Sequence, residues 1–374
     1  MSSSTPDVPV EDRRPADAAR AITLVDADIH PTPPEAELHG RLSERWRRHV
    51  ERFGRRTQII TELYPRTSNA GMRADSWPEG PGSFPGSDLG LLRQQLLDEY
   101  GVDYGVLNCL SMLHCHEAPD LAAELARAVN DWLEEDWLEP EPRLLGSIVV
   151  AWEYPELAVR EIERRAGDPR WVQVLAPGTG EAPLGDSRYW PIYEAATAHG
   201  LPVAIHNAGY EPHLGTGWPS YYLEEHVAYS FVMQTQLLNM VCEGLFQAVP
   251  GLRLVLTEGG VTWVVALRWA LDSAWDAYRD ELPHLDRRPS EVIHDHVWFT
   301  TQPIEEPDDP RQFAQTLEHG DLDDRLLFAT DYPHWDFDSP LQALPGSLPK
   351  DRRQRILAGN SSDLYRLPLG RRGD

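Results

Sequence analysis

The chain has 374 residues and a formal net charge of −26 at pH 7, which results from 34 basic and 60 acidic side chains. A charge of this sign repels nucleic acid phosphates and anionic membrane surfaces, so neither is expected as a partner. The length fits two average domains or one large α/β barrel, and a hydrophobic content of 41% with 13 Trp and 13 Tyr can fill a substantial core.

Neither the cysteines nor the N-terminus indicates secretion. Cys109, Cys115 and Cys242 have no Cys-x-x-Cys spacing and cannot all pair with one another, which fits a reducing compartment. Residues 1–20 are rich in Ser, Pro, Asp and Arg and lack the apolar segment of a signal peptide, so they are predicted to be a disordered lead-in. The chain has no run of 18 apolar residues. We therefore expect a cytoplasmic protein.

Short apolar or β-branched runs alternate with helical patterns along the rest of the chain. The runs predict strands at residues 22–28, 104–110, 144–151, 171–175, 202–206, 252–257, 297–300 and 325–330. Helical patterns occur at residues 35–55, 89–100, 121–137, 155–166, 189–199, 221–249, 261–281 and 310–318, near residue 341 and at 352–358. Because parallel strands joined by right-handed helical crossovers close into a barrel at eight units, we predict an α/β fold of the (β/α)8 TIM-barrel type.

An open doubly wound sheet is the alternative architecture. It would be expected to carry a glycine-rich phosphate turn directly after its first strand. Residues 28–33 instead read Asp-Ile-His-Pro-Thr-Pro. No dinucleotide site is therefore indicated, and the barrel is favoured.

The connection after the first predicted strand is long and dense in Pro and Gly, above all in residues 64–88. Loops of this length inside a compact domain often act as lids or binding loops. We therefore expect a single barrel domain over residues 21–374, with a lid-like insertion at 31–88 and a C-terminal helix and tail at 350–374.

The first predicted strand ends in alternating acids and a histidine. Side chains alternate between the two faces of a strand, so Asp26, Asp28 and His30 share one face. Carboxylate and imidazole groups aimed together suit a divalent metal ion, whereas a polar strand end that caps the next loop is the structural alternative. Asp28 and His30 lie where a barrel opens, so Asp26 is expected to support the site from below.

Three other predicted strands also end in polar residues. His206 follows the fifth strand, Glu258 the sixth, and Asp331 and His334 the eighth. A buried core histidine or a helix cap would explain His206 or Asp331 taken alone. In a barrel, however, the C-terminal strand ends form one rim, and chemistry gathers there. The convergence of these strand ends predicts a site on that rim.

These residues together resemble a known family. The pattern Asp-x-Asp-x-His at 26–30, a His after the fifth strand, Thr-Asp-Tyr-Pro-His at 330–334 and the closing Gly-Asn-Ser-Ser-Asp-Leu-Tyr at 359–365 resemble the amidohydrolase superfamily. The similarity is to its amidohydrolase-related branch, which includes aminocarboxymuconate-semialdehyde decarboxylase. The resemblance implies a distorted TIM barrel, a small-molecule substrate, activities of decarboxylation, hydration or hydrolysis, and a homodimer.

The resemblance also implies a ligand set. Asp28 takes the first ligand position, which other members fill with His or Glu, and His30, His206 and Asp331 take the others. Binuclear members use a carbamylated Lys after the fourth strand, whereas Lys350 near the C-terminus is the only Lys here. We therefore expect one divalent ion, with Zn²⁺ preferred and Mn²⁺ as the alternative.

The chain departs from this branch after the sixth strand, where its decarboxylases present a His and this chain presents Glu258. An ionised carboxylate would repel an anionic substrate, but it suits a general base that acts on water. Orientation of a ligating histidine is the structural alternative for Glu258. Asp331, beside a metal-bound water, is a second candidate catalytic group that would shuttle the proton.

The expected function is accordingly that of a metal-dependent hydrolase, which attacks an amide, lactone or similar carbonyl of a small molecule with metal-activated water. The alternative is a metal-dependent non-oxidative decarboxylase, a carbon–carbon lyase, that acts on a small unsaturated or aromatic carboxylate. A non-catalytic barrel retained for binding is a third hypothesis.

Other polar residues are assigned by their position near the predicted rim. His334 and Trp335 follow Asp331 closely enough to line the pocket, and Arg73 in the long first loop can reach over the rim, so all three are expected to bind substrate. Arg66 is a further loop candidate. The His-Cys-His segment at 114–116 is interpreted as a loop that lines the mouth and not as a second metal site.

Overall fold

The computed structural model describes residues 23–55, 68–80, 83–113, 117–207 and 220–367. The predicted N-terminal lead-in, Arg66, the His-Cys-His segment and the last seven residues of the predicted C-terminal tail lie outside these ranges. Within them, no helix combines the length and the apolar character needed to cross a membrane.

Eight parallel strands form one sheet in which each strand is hydrogen-bonded to the next along the chain. They are β1 (Val25–Ile29), β2 (Tyr104–Leu107), β3 (Leu144–Val149), β4 (Trp171–Pro177), β5 (Val203–His206), β6 (Leu254–Thr257), β7 (Val297–Thr300) and β8 (Leu326–Leu327). Almost every strand residue is buried, as expected where helices cover a parallel sheet on its outer face.

Backbone hydrogen bonds between β1 and the chain around and after β8 close the sheet. The Ala27 amide donates to the Phe328 carbonyl at 2.9 Å, and the Asp331 amide donates to the Asp28 carbonyl at 3.1 Å. The His30 amide donates in turn to the Tyr332 carbonyl at 2.8 Å. The predicted (β/α)8 barrel is thereby confirmed, and its last strand is irregular because the chain turns into the rim at Asp331.

Helices surround the barrel. They are α1 (Glu35–Arg41), α2 (Glu44–Phe53), α3 (Leu89–Leu92), α4 (Pro119–Leu133), α5 (Pro155–Arg165), α6 (Trp190–Ala198), α7 (Tyr222–Cys242), α8 (Leu245–Ala248), α9 (Trp263–Tyr278), α10 (Pro289–His296), α11 (Pro310–Gly320), α12 (Lys350–Gln354) and α13 (Asn360–Tyr365). Wider helical turns extend α3, α4 and α12 over Arg93–Asp98, Glu134–Leu138 and Arg355–Gly359.

Several predicted helices are corrected by backbone breaks. The pattern at 35–55 is two helices because the backbone is extended at Leu42 and Ser43. The pattern at 221–249 is interrupted at Gly244, whose φ of 75° lies in the left-handed region that glycine tolerates. The region around residue 341 forms turns, and α10 has no counterpart among the predicted helices.

Candidate metal centre and active site

Four polar side chains meet at the C-terminal rim of the barrel. Asp28 lies in β1 and His30 directly follows it, His206 ends β5, and Asp331 follows β8. One possible ligand atom from each lies within 4.8 Å of the corresponding atoms of the other three, and all four residues are buried. The structure therefore brings together the complete ligand set that the resemblance implies.

Backbone carbonyl groups orient both histidines. His30 Nδ1 lies 2.9 Å from the Asn108 carbonyl oxygen, and His206 Nδ1 lies 2.7 Å from the Asn207 carbonyl oxygen. Because a carbonyl can only accept, each ring donates its Nδ1–H outward, and the Nε2 lone pair is left to face the centre of the site. This is the arrangement in which imidazole binds a metal.

The inward nitrogens lie close to carboxylate oxygens. His30 Nε2 is 2.7 Å from Asp331 Oδ1 and 3.2 Å from Asp28 Oδ1, and His206 Nε2 is 3.2 Å from Asp28 Oδ2. Among the described residues, His30 Nε2 and Asp331 Oδ2 are buried without a well-aligned hydrogen-bond partner. Lone pairs of nitrogen and carboxylate oxygen that converge in this way require a proton or a cation between them, and the donor set of two N and two O fits a divalent ion.

The two aspartates are kept ionised by their neighbours. Burial alone would raise the pKa of Asp28, but the adjacent His30 and His206 imidazoles lower it below its ordinary value. Burial also opposes ionisation of Asp331, and the charges and hydrogen bonds of His334 and His30 outweigh it, so that the pKa of Asp331 falls to about 2. Both side chains are therefore anionic at neutral pH, as metal ligands must be.

Glu258 faces the same site, but its pKa is shifted in the opposite direction. Its Oε2 atom lies 3.5 Å from His206 Nε2, and the residue is only 6% exposed. Burial, followed by the negative charges of Asp331 and Asp28, raises the pKa of Glu258 well above its ordinary value. Ionisation of this carboxyl group is therefore disfavoured, and its protonated form offers a hydrogen-bond donor where an ionised glutamate was expected.

The backbone conformation of two site residues is unusual. Glu258 has a φ of 56° and Asp331 a φ of 60°, and both lie in the left-handed region that non-glycine residues rarely adopt. The Glu258 amide is held by the Thr300 hydroxyl at 3.0 Å. Backbone strain at the ends of β6 and β8 aims both acidic side chains into the site, as is common at functional positions.

A cavity of about 170 Å³ opens beside these residues. It is lined by Ala70, Gly71, Met72, Leu110, Asn207, Tyr222, Tyr229, Glu258, Asp331, His334 and Asp336. Two larger cavities lie elsewhere. One of about 250 Å³ is lined by residues that include Ile304, Phe313 and Pro345, and one of about 410 Å³ lies between α4 and α5. None of the four candidate ligands lines either of them. The chemistry therefore places the candidate active site in the smaller cavity.

The three expected substrate-binding residues occupy different positions. His334 lines the cavity, and its Nδ1 lies 2.6 Å from Asp331 Oδ1. Trp335 lies at the edge, where its indole donates to the Tyr222 hydroxyl at 2.7 Å. Arg73 does not line the cavity, because its guanidinium is bound by Asp75 through contacts of 3.0 and 2.8 Å. Their roles in binding substrate stay predictions.

The sequence analysis missed the contribution of α7. Tyr222, His226 and Tyr229 recur at i, i+4 and i+7, so they share one face of that helix, and Tyr222 and Tyr229 line the cavity. His226 stacks on Tyr222 with ring centroids 5.7 Å apart, and its Nε2 lies 3.2 Å from Asp336 Oδ2. The spacing was visible in the sequence, but nothing there showed that this face turns towards the rim.

Asn108 was also missed. Its side-chain nitrogen donates to Asp28 Oδ1 at 2.7 Å, and its backbone carbonyl accepts from His30. The predicted strand at 104–110 enclosed this residue, whereas β2 ends at Leu107. With that boundary, the strand-end rule that identified the candidate ligands would have included Asn108.

A family model described as Amidohydrolase matches residues 25–367 of the chain. The chain belongs to the amidohydrolase family. The resemblance seen in the strand-end motifs is thereby confirmed, and it covers nearly the whole described barrel.

Curated relatives of this amidohydrolase are decarboxylases. It is 26% identical over 297 residues to a gamma-resorcylate decarboxylase of Polaromonas sp. (strain JS666), a match that covers 74% of this chain and 86% of the relative. It is 24% identical over 311 residues to the gamma-resorcylate decarboxylase of Rhodococcus jostii (strain RHA1), a match that covers 75% of this chain and 88% of the relative.

Solved structures with the same fold carry similar names. The 5-carboxyvanillate decarboxylase from Sphingomonas paucimobilis superposes with a TM-score of 0.67 at 20% identity over 93% of this chain and 100% of that one. A dihydroxybenzoic acid decarboxylase from Polaromonas sp. JS666, with bound manganese and the inhibitor 2-nitroresorcinol, superposes with a TM-score of 0.65 at 20% identity. This match covers 92% of this chain and 97% of that one.

These relatives show that the expectation of a hydrolase is wrong as the main interpretation, and they support its decarboxylase alternative. The physical error lies at Glu258. The argument against decarboxylation assumed an ionised carboxylate that repels an anionic substrate, whereas burial beside two aspartates raises the pKa of this group and opposes its ionisation. The expected repulsion is weaker to the same extent.

Proposed function

We propose that this amidohydrolase is a metal-dependent non-oxidative decarboxylase of a small aromatic carboxylate. The observation that carries the proposal is the buried Asp/His ligand set beside Glu258, whose pKa is raised by burial and by the charges of Asp331 and Asp28. Loss of carbon dioxide from an arene needs a cation for the anionic substrate and a proton for the ring carbon, and this site offers a place for both. The names of the curated relatives support the same reaction class.

Asp28, His30, His206 and Asp331 would hold one divalent ion. Zn²⁺ or Mn²⁺ suits these donors, and the manganese in the Polaromonas structure favours Mn²⁺. When bound, the ion supplies positive charge that binds and polarises substrate oxygens. Among the described residues that line the cavity there is no Arg or Lys, so the substrate carboxylate depends on the ion for its countercharge.

The reaction exchanges a carboxylate for a proton on the same ring carbon. The bond between the ring carbon and the carboxylate breaks, and carbon dioxide leaves. The electron pair of that bond stays on the ring carbon and takes up the proton. We assign donation of that proton to the Glu258 carboxyl group, which lines the cavity and whose raised pKa favours the protonated form. Asp331 Oδ1 lies 2.6 Å from His334 Nδ1, on the outer side of the site. Asp331 would relay a proton from that imidazole to replace the one that Glu258 donates.

The size and walls of the cavity support a single aromatic ring. A cavity of about 150 Å³ can hold benzene in another protein, and the present one measures about 170 Å³. Tyr222 and Tyr229 present aromatic surface on one side, and Trp335 adjoins Tyr222 at the edge. Offset or edge-to-face packing against such rings would orient a planar substrate.

The test is a decarboxylation assay with a matched variant. Protein loaded with Mn²⁺ or Zn²⁺ is incubated with 2,6-dihydroxybenzoate, 5-carboxyvanillate and related hydroxybenzoates, and carbon dioxide and the arene product are quantified. In D₂O the product should gain one deuterium at the carbon that lost the carboxylate. Glu258→Gln, which keeps the shape but cannot donate an acidic proton, should lower kcat by about 10²- to 10⁴-fold.

Two outcomes are informative against the proposal. Absence of carbon dioxide from the whole panel with folded, metal-loaded protein would overturn the decarboxylase assignment. Retention of kcat by Glu258→Gln, with turnover in the parent, would overturn only the proton-donor role of Glu258. Metal content measured on both proteins controls for indirect loss of the ion.

A further inference from the structure

A continuous line of buried polar side chains crosses the barrel interior beneath the candidate metal centre. It runs from Tyr365 in α13 through Gln173 in β4 and Asn108 after β2 to Asp28 in β1, with Ser147 of β3 beside it. All five residues are buried, and Tyr365 is the most accessible at 8% exposure. Barrel interiors are ordinarily filled by branched apolar side chains, so this polar line stands apart.

The hydrogen bonds in this line all point the same way. The Tyr365 hydroxyl donates to Gln173 Oε1 at 2.8 Å, and Gln173 Nε2 donates to Asn108 Oδ1 at 3.0 Å. The Ser147 hydroxyl donates to the same Asn108 oxygen at 2.6 Å. Asn108 Nδ2 then donates to Asp28 Oδ1 at 2.7 Å. The line begins at a phenol and ends at a carboxylate.

Each amide is held in one orientation by its neighbours. An ionised aspartate can only accept, so the nitrogen of Asn108 must face Asp28 and its oxygen must face Gln173. Since that oxygen requires a donor, Gln173 must turn its nitrogen to Asn108 and its oxygen to Tyr365. Reversal of either amide would place two hydrogen-bond acceptors against each other in a buried site, at a cost of about 1–3 kcal/mol for the unsatisfied group. The Asp28 carboxylate therefore sets the orientation of both amides, and the Tyr365 hydroxyl at the far end supplies the donor that the Gln173 oxygen needs.

Asn108 is the point at which this line reaches the metal centre. Its side chain binds one oxygen of Asp28, which leaves Oδ2 towards His206, and its backbone carbonyl sets the ring orientation of His30. One residue thereby holds two of the four candidate ligands. Hydrogen bonds in series also strengthen one another inside a protein.

We infer that Tyr365 is a positioning residue for the metal centre, which it orients from the C-terminal helix through Gln173 and Asn108. This inference rests on the proposed metal-binding function. The relevant property is metal affinity, because partners of ligating groups typically contribute about 10- to 100-fold to it. A role limited to the stability of α13 would leave that affinity unchanged.

The experiment compares two Tyr→Phe variants that each remove one buried hydroxyl. Tyr365→Phe removes the first donor of the line. Tyr193→Phe is the matched control, because Tyr193 in α6 is fully buried and its hydroxyl donates to the Leu184 carbonyl at 2.9 Å, outside the line. Apparent Kd values for Mn²⁺ and Zn²⁺ are measured by competition with a chromogenic chelator, and thermal unfolding of the metal-free proteins confirms folding.

We expect Tyr365→Phe to weaken metal binding by about 3- to 10-fold, less than the roughly 10- to 100-fold expected for Asn108→Ala, which removes a direct partner of Asp28. Tyr193→Phe should retain the affinity of the parent. In the Asn108→Ala background, Tyr365→Phe should have little further effect, because the path to Asp28 is already broken.

Three results would overturn the inference. Equal affinities for Tyr365→Phe, Tyr193→Phe and the parent would show that Tyr365 does not act on the ligands. Additive effects of Asn108→Ala and Tyr365→Phe would show that it does not act through Asn108. Parent protein that binds neither ion would remove the proposed metal centre and this inference with it, which distinguishes that failure from the first two.

Discussion

Individual residues at the rim owe their chemistry to backbone position and burial. His30 and His206 present Nε2 because backbone carbonyls take the opposite nitrogen. Asp331 and Glu258 are both acidic and both buried, yet two histidines lower the pKa of the first, while burial and neighbouring acids raise the pKa of the second. Environments that separate the pKa values of neighbouring acids in this way are typical of sites that combine a ligand with a proton donor.

We expect His30→Ala to weaken metal binding by more than about 100-fold. This exceeds the roughly 10- to 100-fold loss that is typical for residues that only hydrogen-bond to a ligand. The physical reason is the loss of one Nε2 ligand and of the charge balance around Asp28 and Asp331. Metal stoichiometry after dialysis, measured by mass spectrometry, gives the result. His319→Ala, which removes an exposed imidazole from α11, is the control. Equal metal content in both variants would refute the assigned ligand role.

Among the secondary structure elements, α7 carries information that the local pattern did not reveal. Its inner face supplies Tyr222 and Tyr229 to the cavity, and Glu225 on the same helix is buried at 8% exposure. Burial raises the pKa of Glu225 to about 7, against a smaller lowering effect of His226. The first turn of α7 therefore holds a buried acid that titrates near pH 7.

The titration of Glu225 makes the contribution of α7 to stability dependent on pH. Glutamate ionises near pH 4.5 in the unfolded chain, so the raised folded pKa stabilises the native state fully below that pH and progressively less as pH rises through about 7. Glu225→Gln lacks this titration. The unfolding free energy of the variant, relative to the parent, should therefore increase between pH 5 and pH 7.5.

Urea unfolding of chelator-treated proteins at both pH values measures this difference. Glu243→Gln, which changes an exposed carboxylate at the end of the same helix, serves as the control and should follow the parent. Parallel pH dependences for the parent and Glu225→Gln would contradict a raised pKa at Glu225.

Across the whole molecule, the candidate metal centre joins the two ends of the barrel. Asp28 lies in the first strand, His30 directly follows it and Asp331 follows the last strand. Backbone hydrogen bonds between these segments complete the closed sheet. A bound ion would therefore stabilise the closure of the barrel itself. The expected homodimer stays a prediction.

We accordingly expect chelation to lower Tm. An ion present at 100 times its Kd stabilises the folded state by about 2.7 kcal/mol, which corresponds to about 3 °C for a chain of this length. Differential scanning fluorimetry with and without EDTA measures the shift, and added Mn²⁺ or Zn²⁺ should reverse it. His30→Ala should show almost no shift. A similar EDTA effect on parent and variant would mean that the stabilising ion binds elsewhere.

Much of the architecture and the candidate ligand set could be predicted from the sequence alone. Alternating strand and helix patterns specify parallel crossovers, and eight of them close a barrel whose strand ends share one rim. That rule brings Asp28, His30, His206 and Asp331 together although they are distant along the chain, and the structure does so. Local periodicity and chain topology suffice for these features because neither depends on detailed packing.

Only the tertiary structure decided which other groups reach the site and in which charge state. The approach of α7, the break that ends β2 before Asn108 and the insertion of Tyr365 into the barrel all depend on packing between distant segments. The raised pKa of Glu258 depends on its burial beside two aspartates, which no local pattern contains. The sequence argument against decarboxylation assumed an ionised Glu258, but desolvation and neighbouring charges, and not residue type alone, set the pKa of a buried acid.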